Sequence, residues 1–140
     1  MKVFKTSKAI HASPEAIFDA FSNQDKLAEW WGPAGFTNSF DIFEFKNDGK
    51  WSFVMHGPDG RHYENESIFI EIIAAQKVVI FHRSEPKFIL TITIEGGETG
   101  SIVHWNQAFD NEALAKNIAN IIEPSNEQNL NRLAAVVCAN

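Results

Sequence analysis

The chain is poor in cysteine, in basic charge and in long apolar runs, and each shortage removes a class of answer. Its single cysteine, Cys138, cannot form an intrachain disulfide, which fits a reducing compartment. It has no neighbouring base in sequence and reads as a packing residue. Lysine and arginine number 12 against 18 aspartates and glutamates, for a formal charge of −6. No run of four or more basic residues offsets that balance, so neither nucleic acid nor an anionic membrane is an expected partner. No apolar stretch approaches the roughly 20 residues that span a bilayer. The opening M-K-V-F-K-T-S-K has no apolar signal-peptide core. A cytoplasmic protein without a membrane span is the expectation.

Chemical signatures are scarce too. The five histidines, His11, His56, His62, His82 and His104, form no H-x-H, H-x-x-x-H or H-E-x-x-H pattern. Zinc sites normally declare themselves by such spacing, so no metal and no cofactor are expected. His56 and His62 do flank a Gly-Pro-Asp-Gly turn and could face each other across two strands. No G-x-S-x-G elbow is present. Gly96-Gly97 with Gly100 reads as a hairpin rather than a phosphate loop, because no helix follows it.

What the chain has is aromatic mass. Twelve phenylalanines and four tryptophans stand in 140 residues, favouring strands and a wide apolar interior. The length gives one domain, residues 1–140, large enough for a core without staples. Lys2 to His11 alternates as a first strand, with Val3 and Ile10 as its apolar positions. Ser13-Pro14-Glu15 starts a helix: a capping hydroxyl, a proline tolerated at the first helical position, and an acid in the first turn. Asp25 to Trp31 is a second short helix that runs into Gly32-Pro33-Ala34-Gly35. Adjacent residues on a helix point about 100° apart, so one of Trp30 and Trp31 can anchor the core while the other covers a neighbouring surface or the mouth of a cavity.

From Phe36 the period changes to two. Strands are predicted over Phe36–Lys46, Lys50–His56, Arg61–Ala74, Lys77–Arg83, Lys87–Ile94 and Ser101–Phe109, joined by short turns as in an antiparallel meander. In the long strand, Ile68, Ile70 and Ile72 share one face, and Tyr63, Asn65, Ser67 and Phe69 the other. Helical spacing returns with Leu114, Ile118, Ile121 and Ile122. Pro124 is expected to interrupt it. Leu130, Leu133, Ala134 and Val137 then form a clean amphipathic stripe, which has to bury against the sheet's concave face.

This order, with Glu29-Trp30-Trp31-Gly32-Pro33 and Gly35-Phe36-Thr37, resembles the helix-grip fold of the START/pollen-allergen-like superfamily. Within it the chain is similar to the family named for homology to the activator of the heat-shock-protein-90 ATPase. Glu44-Phe45-Lys46 followed by Gly49-Lys50-Trp51, Val54-Met55-His56-Gly57-Pro58-Asp59-Gly60, Phe69-Ile70-Glu71-Ile72 and Asn131-Arg132-Leu133-Ala134 carry the rest of the likeness. Asp48-Gly49 departs from the family's usual Gly-Gly, and Ala74-Ala75 from its Pro-Pro. Ser125-Asn126 stands about where a Gly-Trp pair often lies, implying a roomier or more polar pocket.

The resemblance implies an α+β fold: a curved antiparallel sheet of about seven strands wrapped around a long C-terminal helix, with two short helices after the first strand. It also implies a cavity for an apolar or amphipathic, lipid-like small molecule. Strand alternation lines that cavity with Phe53, Met55, Tyr63, Asn65, Phe81, Leu90 and Trp105, and puts Trp31 and Phe36 at its mouth. A carboxylate inside it would have a raised pKa and serve as acid or base. Glu71, sharing parity with Tyr63 and Asn65, is the candidate for an enzyme acting on a hydrophobic substrate in the same cavity. A chaperone-interaction module using its outer surface is the third reading. The co-chaperone activity belongs to larger proteins in which this fold is one domain, so a chaperone partner is not the first expectation. A homodimer through the outer sheet face is a further expectation.

Overall fold

A computed structural model describes residues 1–138. Strand β1 (Lys2–Ile10) leads into helices α1 (Pro14–Ser22) and α2 (Gln24–Trp30). Six strands follow: β2 (Thr37–Phe43), β3 (Gly49–His56), β4 (His62–Ile73), β5 (Lys77–His82), β6 (Phe88–Gly96) and β7 (Ser101–Phe109). Helices α3 (Glu112–Asn117) and α4 (Ala119–Cys138) complete the described chain. All neighbouring strands pair antiparallel, in the order β1-β7-β6-β5-β4-β3-β2. The strand that opens the chain therefore lies beside the one that closes the meander, and α4 packs across the concave face. This is the helix-grip architecture.

Local chemistry explains the element ends. Ser13 Oγ accepts from Ala16 N and Pro14 occupies the first turn of α1. Asn23 then closes α1 and caps α2, its Oδ1 accepting from Asp25 N and Lys26 N. Short polar side chains are preferred at such positions because they satisfy amides with no helical partner. Asp48 (φ 65°) provides the left-handed turn between β2 and β3, a conformation Asp tolerates better than most residues.

Four expectations need correction. In β1 Ile10 is inward as expected, together with Phe4, but Val3 has the opposite parity and is 39% exposed. The helical break falls at Ile118 (φ −107°, ψ 9°), and Pro124 lies inside α4. Ile121 N and Ile122 N both bond Ile118 O, so α4 is nucleated before the proline is reached, and packing sustains the helix past it. Cys138 is exposed at the end of α4, so it is not a packing residue. The fourth correction is a β-bulge in β4. Phe69 pairs with Ile80, but Glu71 pairs with Val79, leaving Ile70 as the extra residue. A bulge exchanges the faces downstream. Ile72 packs on the core, Ile70 is 41% exposed, and Glu71 turns to the outside.

The core is aromatic and continuous. Trp51 stacks between Phe53 (4.2 Å) and Phe69 (5.5 Å) and meets Trp31 edge-on at 5.0 Å. Trp31 also touches Trp30 (5.4 Å) and Trp105 (5.7 Å). Such offset and edge-on pairs add roughly 0.5–1.5 kcal/mol each beyond their burial.

Candidate functional site

The corner after α2 is held by α4. Arg132 donates from Nη1 to Trp31 O (3.2 Å), Gly32 O (2.8 Å) and Pro33 O (2.9 Å), and from Nη2 to Glu29 O (2.8 Å) and Phe36 O (2.9 Å). One turn earlier, Asn129 Oδ1 accepts from Gly32 N at 2.8 Å, and Gln128 Oε1 accepts from Ala34 N at 3.0 Å. Asn38 Nδ2 adds donations to Ala28 O and Trp31 O. Two of the last carbonyls of α2, Ala28 O and Glu29 O, are thus satisfied by side chains, and a cation sits at the negative end of that helix. Burial draws the Arg132 guanidinium below its ordinary pKa. Gly32 (φ 97°) is required here: a Cβ would strain the backbone and lie 2.7 Å from Met55 Cε.

Below this corner, between sheet and α4, is a sheltered pocket of about 230 Å³. Its apolar wall is built from Trp31, Phe53, Met55, Ile80, Leu90 and Trp105. Ile122 and Phe88 extend it, and Asn65, His82, Gln107, Asn126 and Asn129 give it a polar end. Three larger depressions lie elsewhere, one between β2, β3 and β4, one where the β6–β7 hairpin meets the end of β1, and one between β1 and β7. All three are open surface hollows with mixed polar rims, so the sheltered pocket is the better binding geometry despite its smaller volume.

Six residues singled out from sequence meet in this pocket: Trp31, Phe53, Met55, Asn65, Leu90 and Trp105. Four do not. Phe81 lies on the outer face between Ile68 and Ile89, because β5 turns Val78, Ile80 and His82 inward. Tyr63 has the inward parity, opposite Met55, but stands at the open end of the sheet and is 41% exposed. Phe36 packs against it with ring centroids 6.1 Å apart, and the two lie beyond the pocket lining. Glu71, after the bulge, pairs with Lys77 at 2.9 Å, the two side chains being 44% and 36% exposed. That is an ordinary surface ion pair, contributing at most about 1 kcal/mol, and no acid/base group inside the cavity.

Sequence reasoning named Asn65 and a more polar helix side at Ser125-Asn126, but did not place His82, Gln107 or Asn129 in the lining. Asn126 Nδ2 donates to Gln107 Oε1 at 3.0 Å, and both residues are buried. Asn129 Nδ2 donates to Ser125 O. His82 stacks flat on Phe88, centroids 4.5 Å apart. Its Nδ1 donates to Pro86 O at 2.9 Å; its Nε2 faces Asn65 Oδ1 at 2.6 Å and Ser84 Oγ at 3.3 Å. Two effects compete. A protonated ring would satisfy both oxygens, but removal from water opposes the charge. Burial is the larger and lowers the His82 pKa, against the raising effects of the Pro86 and Ser84 backbone and of Glu85. Asn65 Nδ2 donates to Tyr63 O at 2.9 Å, which fixes its Oδ1 toward the ring, so Nε2 donates to it when it carries a proton.

The sign of the pH effect follows. The folded chain binds fewer protons than the unfolded chain once His82 begins to titrate in the latter near 6.5. Stability is therefore full above that pH and falls as pH drops below it. A His82→Gln variant is expected to lose less stability than the parent between about pH 7.5 and about pH 5.5. Urea midpoints at the two pH values check this; an equal loss in both proteins would remove His82 from the acid response.

At the far hairpin, His56 Nδ1 and His62 Nδ1 are 2.7 Å apart, and His56 Nε2 is 2.7 Å from Ser39 Oγ. Among the described residues no group of three or more His, Cys, Asp or Glu is placed to hold a metal ion. No helix of the described residues is long and apolar enough to cross a membrane.

Comparison with known structures finds the same architecture in several bacterial proteins. Protein CV1439 from Chromobacterium violaceum superposes with a TM-score of 0.89 at 20% identity, over 100% of both chains. The AHSA1 protein from Silicibacter pomeroyi gives 0.78 at 19% identity, over 96% of each chain. The AHSA1-like protein from Aeromonas hydrophila gives 0.76 at 14%, over 97% of this chain and 92% of its own. At these identities the likeness establishes the fold. No curated relative matches the chain. The profile of the family described as activator of Hsp90 ATPase homolog 1-like protein matches residues 11–137. The chain belongs to that family.

Proposed function

We propose that the protein binds a small molecule between its sheet and α4. The supporting observation is the sheltered pocket of about 230 Å³, whose mainly apolar wall is joined by a few polar side chains from both the sheet and α4. Mostly apolar walls with a few convergent polar groups are the usual form of such a site. The volume sets the scale: a cavity of about 150 Å³ accommodates a benzene. The pocket suits one substituted ring or a short branched chain, and only the head of a long lipid. Its lining includes Ser125 and Asn126, where the family often carries Gly-Trp, so the polar character at that end belongs to this chain's own sequence.

Native mass spectrometry of gently purified protein, followed by extraction, is the direct test. A retained small molecule whose binding survives Glu71→Gln but weakens with Trp105→Ala is the expected result. If nothing co-purifies, and no compound in a metabolite library moves the NMR resonances of the lining residues, the proposal fails.

A further inference from the structure

The pocket walls have a particular electrical character. Among the residues that line it there is no lysine, arginine, aspartate or glutamate, and His82 is the one ionisable side chain. Arg132, whose Nη1 lies beside Gly32, has both terminal nitrogens committed to the carbonyls of the corner. An ionised ligand would enter with no counter-charge waiting for it, and burying an unpaired charge costs far more than burying hydrogen-bonded neutral groups.

The polar end is not inert, however. The bond from Asn126 Nδ2 to Gln107 Oε1 engages one end of each amide. Gln107 Nε2 and Asn126 Oδ1 remain, a donor group and an acceptor in a wall that also carries Asn65, Ser67, His82 and Ser125. Asn129 differs, since its oxygen and nitrogen are both used, by Gly32 N and Ser125 O. Gln107 and Asn126 are 6% and 5% exposed. Neither Gln107 Nε2 nor Asn126 Oδ1 has a hydrogen-bond partner among the described residues and neither is wholly enclosed, so both remain open to a molecule in the pocket.

From this we propose that the pocket selects small uncharged molecules of about single-ring size that carry both an acceptor, for Gln107 Nε2, and a donor, for Asn126 Oδ1. A carboxamide or lactam edge has that chemistry. A carboxylate lacks the donor and an ammonium lacks the acceptor, and each brings a charge the walls do not match. The inference rests on the reading of this pocket as a binding site.

Four probes of nearly equal shape separate the possibilities: benzamide, benzoate, benzylammonium and toluene. Each is titrated into isotope-labelled protein while the side-chain amide signals of Gln107 and Asn126 are followed by NMR. Benzamide is expected to bind at least about tenfold more tightly than either ion and to shift both amide signals. Gln107→Leu is expected to bring benzamide down to the affinity of toluene and to leave toluene binding intact or improved. If that variant does not fold, the amide shifts in the unaltered protein decide the matter. Benzoate or benzylammonium binding as tightly as benzamide would overturn the selectivity and leave the pocket reading standing. So would benzamide binding without moving the Gln107 and Asn126 signals. Absence of binding by all four would overturn the selectivity and count against the pocket itself.

Discussion

Arg132→Ala is expected to lower stability by about 3 kcal/mol, because several carbonyls held by a charged donor lose it at once. The five bonded oxygens belong to Glu29, Trp31, Gly32, Pro33 and Phe36, spanning the end of α2 and the path into β2. Some of that backbone reaches water when the guanidinium is removed, which keeps the figure below the sum of five separate bonds. Arg132→Lys retains the charge but not the planar fork that reaches several oxygens together, so more than half of the loss is expected to persist. For a domain of this size the alanine variant's melting point should fall by roughly 10 °C. Urea denaturation of the two variants measures both losses. A lysine variant as stable as the parent would mean that charge at the helix end, not the fork, holds the corner.

The second large effect separates the adjacent tryptophans. Trp30→Ala is expected to cost about 4 kcal/mol, within the range for removing a buried large ring. Trp30 is fully buried, packs edge-on against Phe21 at 5.0 Å, and donates from Nε1 to Ala20 O at 2.9 Å. It joins α2 to α1. Trp31, 8% exposed, is a wall of the pocket instead. Trp31→Ala should cost about 3 kcal/mol and enlarge the pocket, so that bulkier ligands bind better than in the parent. Denaturation curves and a two-ring probe distinguish the pair. If Trp30→Ala changed ligand size preference and Trp31→Ala did not, the roles assigned here would be reversed.

Much of this architecture was legible in the residues. The capping Ser13, the corner at Gly32-Pro33 and the Asp48-Gly49 turn each have a local cause, and the strand limits fall within a few residues of those predicted. The stripe of Leu130 and Leu133 did bury in the core beside the sheet. What failed was phase. Val78, Val79, Ile80 and Phe81 are apolar at both parities, so alternation alone could not choose a face, and the larger ring was the wrong guide. In β4 nothing local marks Ile70 as the extra residue; the bulge arises from pairing with β5.

Gln107 was within reach, since it shares the parity of Trp105, which was chosen. Asn126 lies four residues before Leu130 on the same helical face. Gln107 was passed over although another amide, Asn65, was chosen, and Asn126 was read only as a departure implying a more polar pocket, not as a lining residue.

The tryptophan cluster has a practical consequence. All four tryptophans of the chain join one contiguous group: Trp30 and Trp105 lie 6.3 Å apart, and Trp31 bridges to Trp51 at 5.0 Å. Two of them, Trp31 and Trp105, form the pocket wall. Ultraviolet emission excited at the red edge therefore comes from a cluster half of whose rings line the cavity. The protein carries its own optical reporter, able to register an incoming molecule without any attached label.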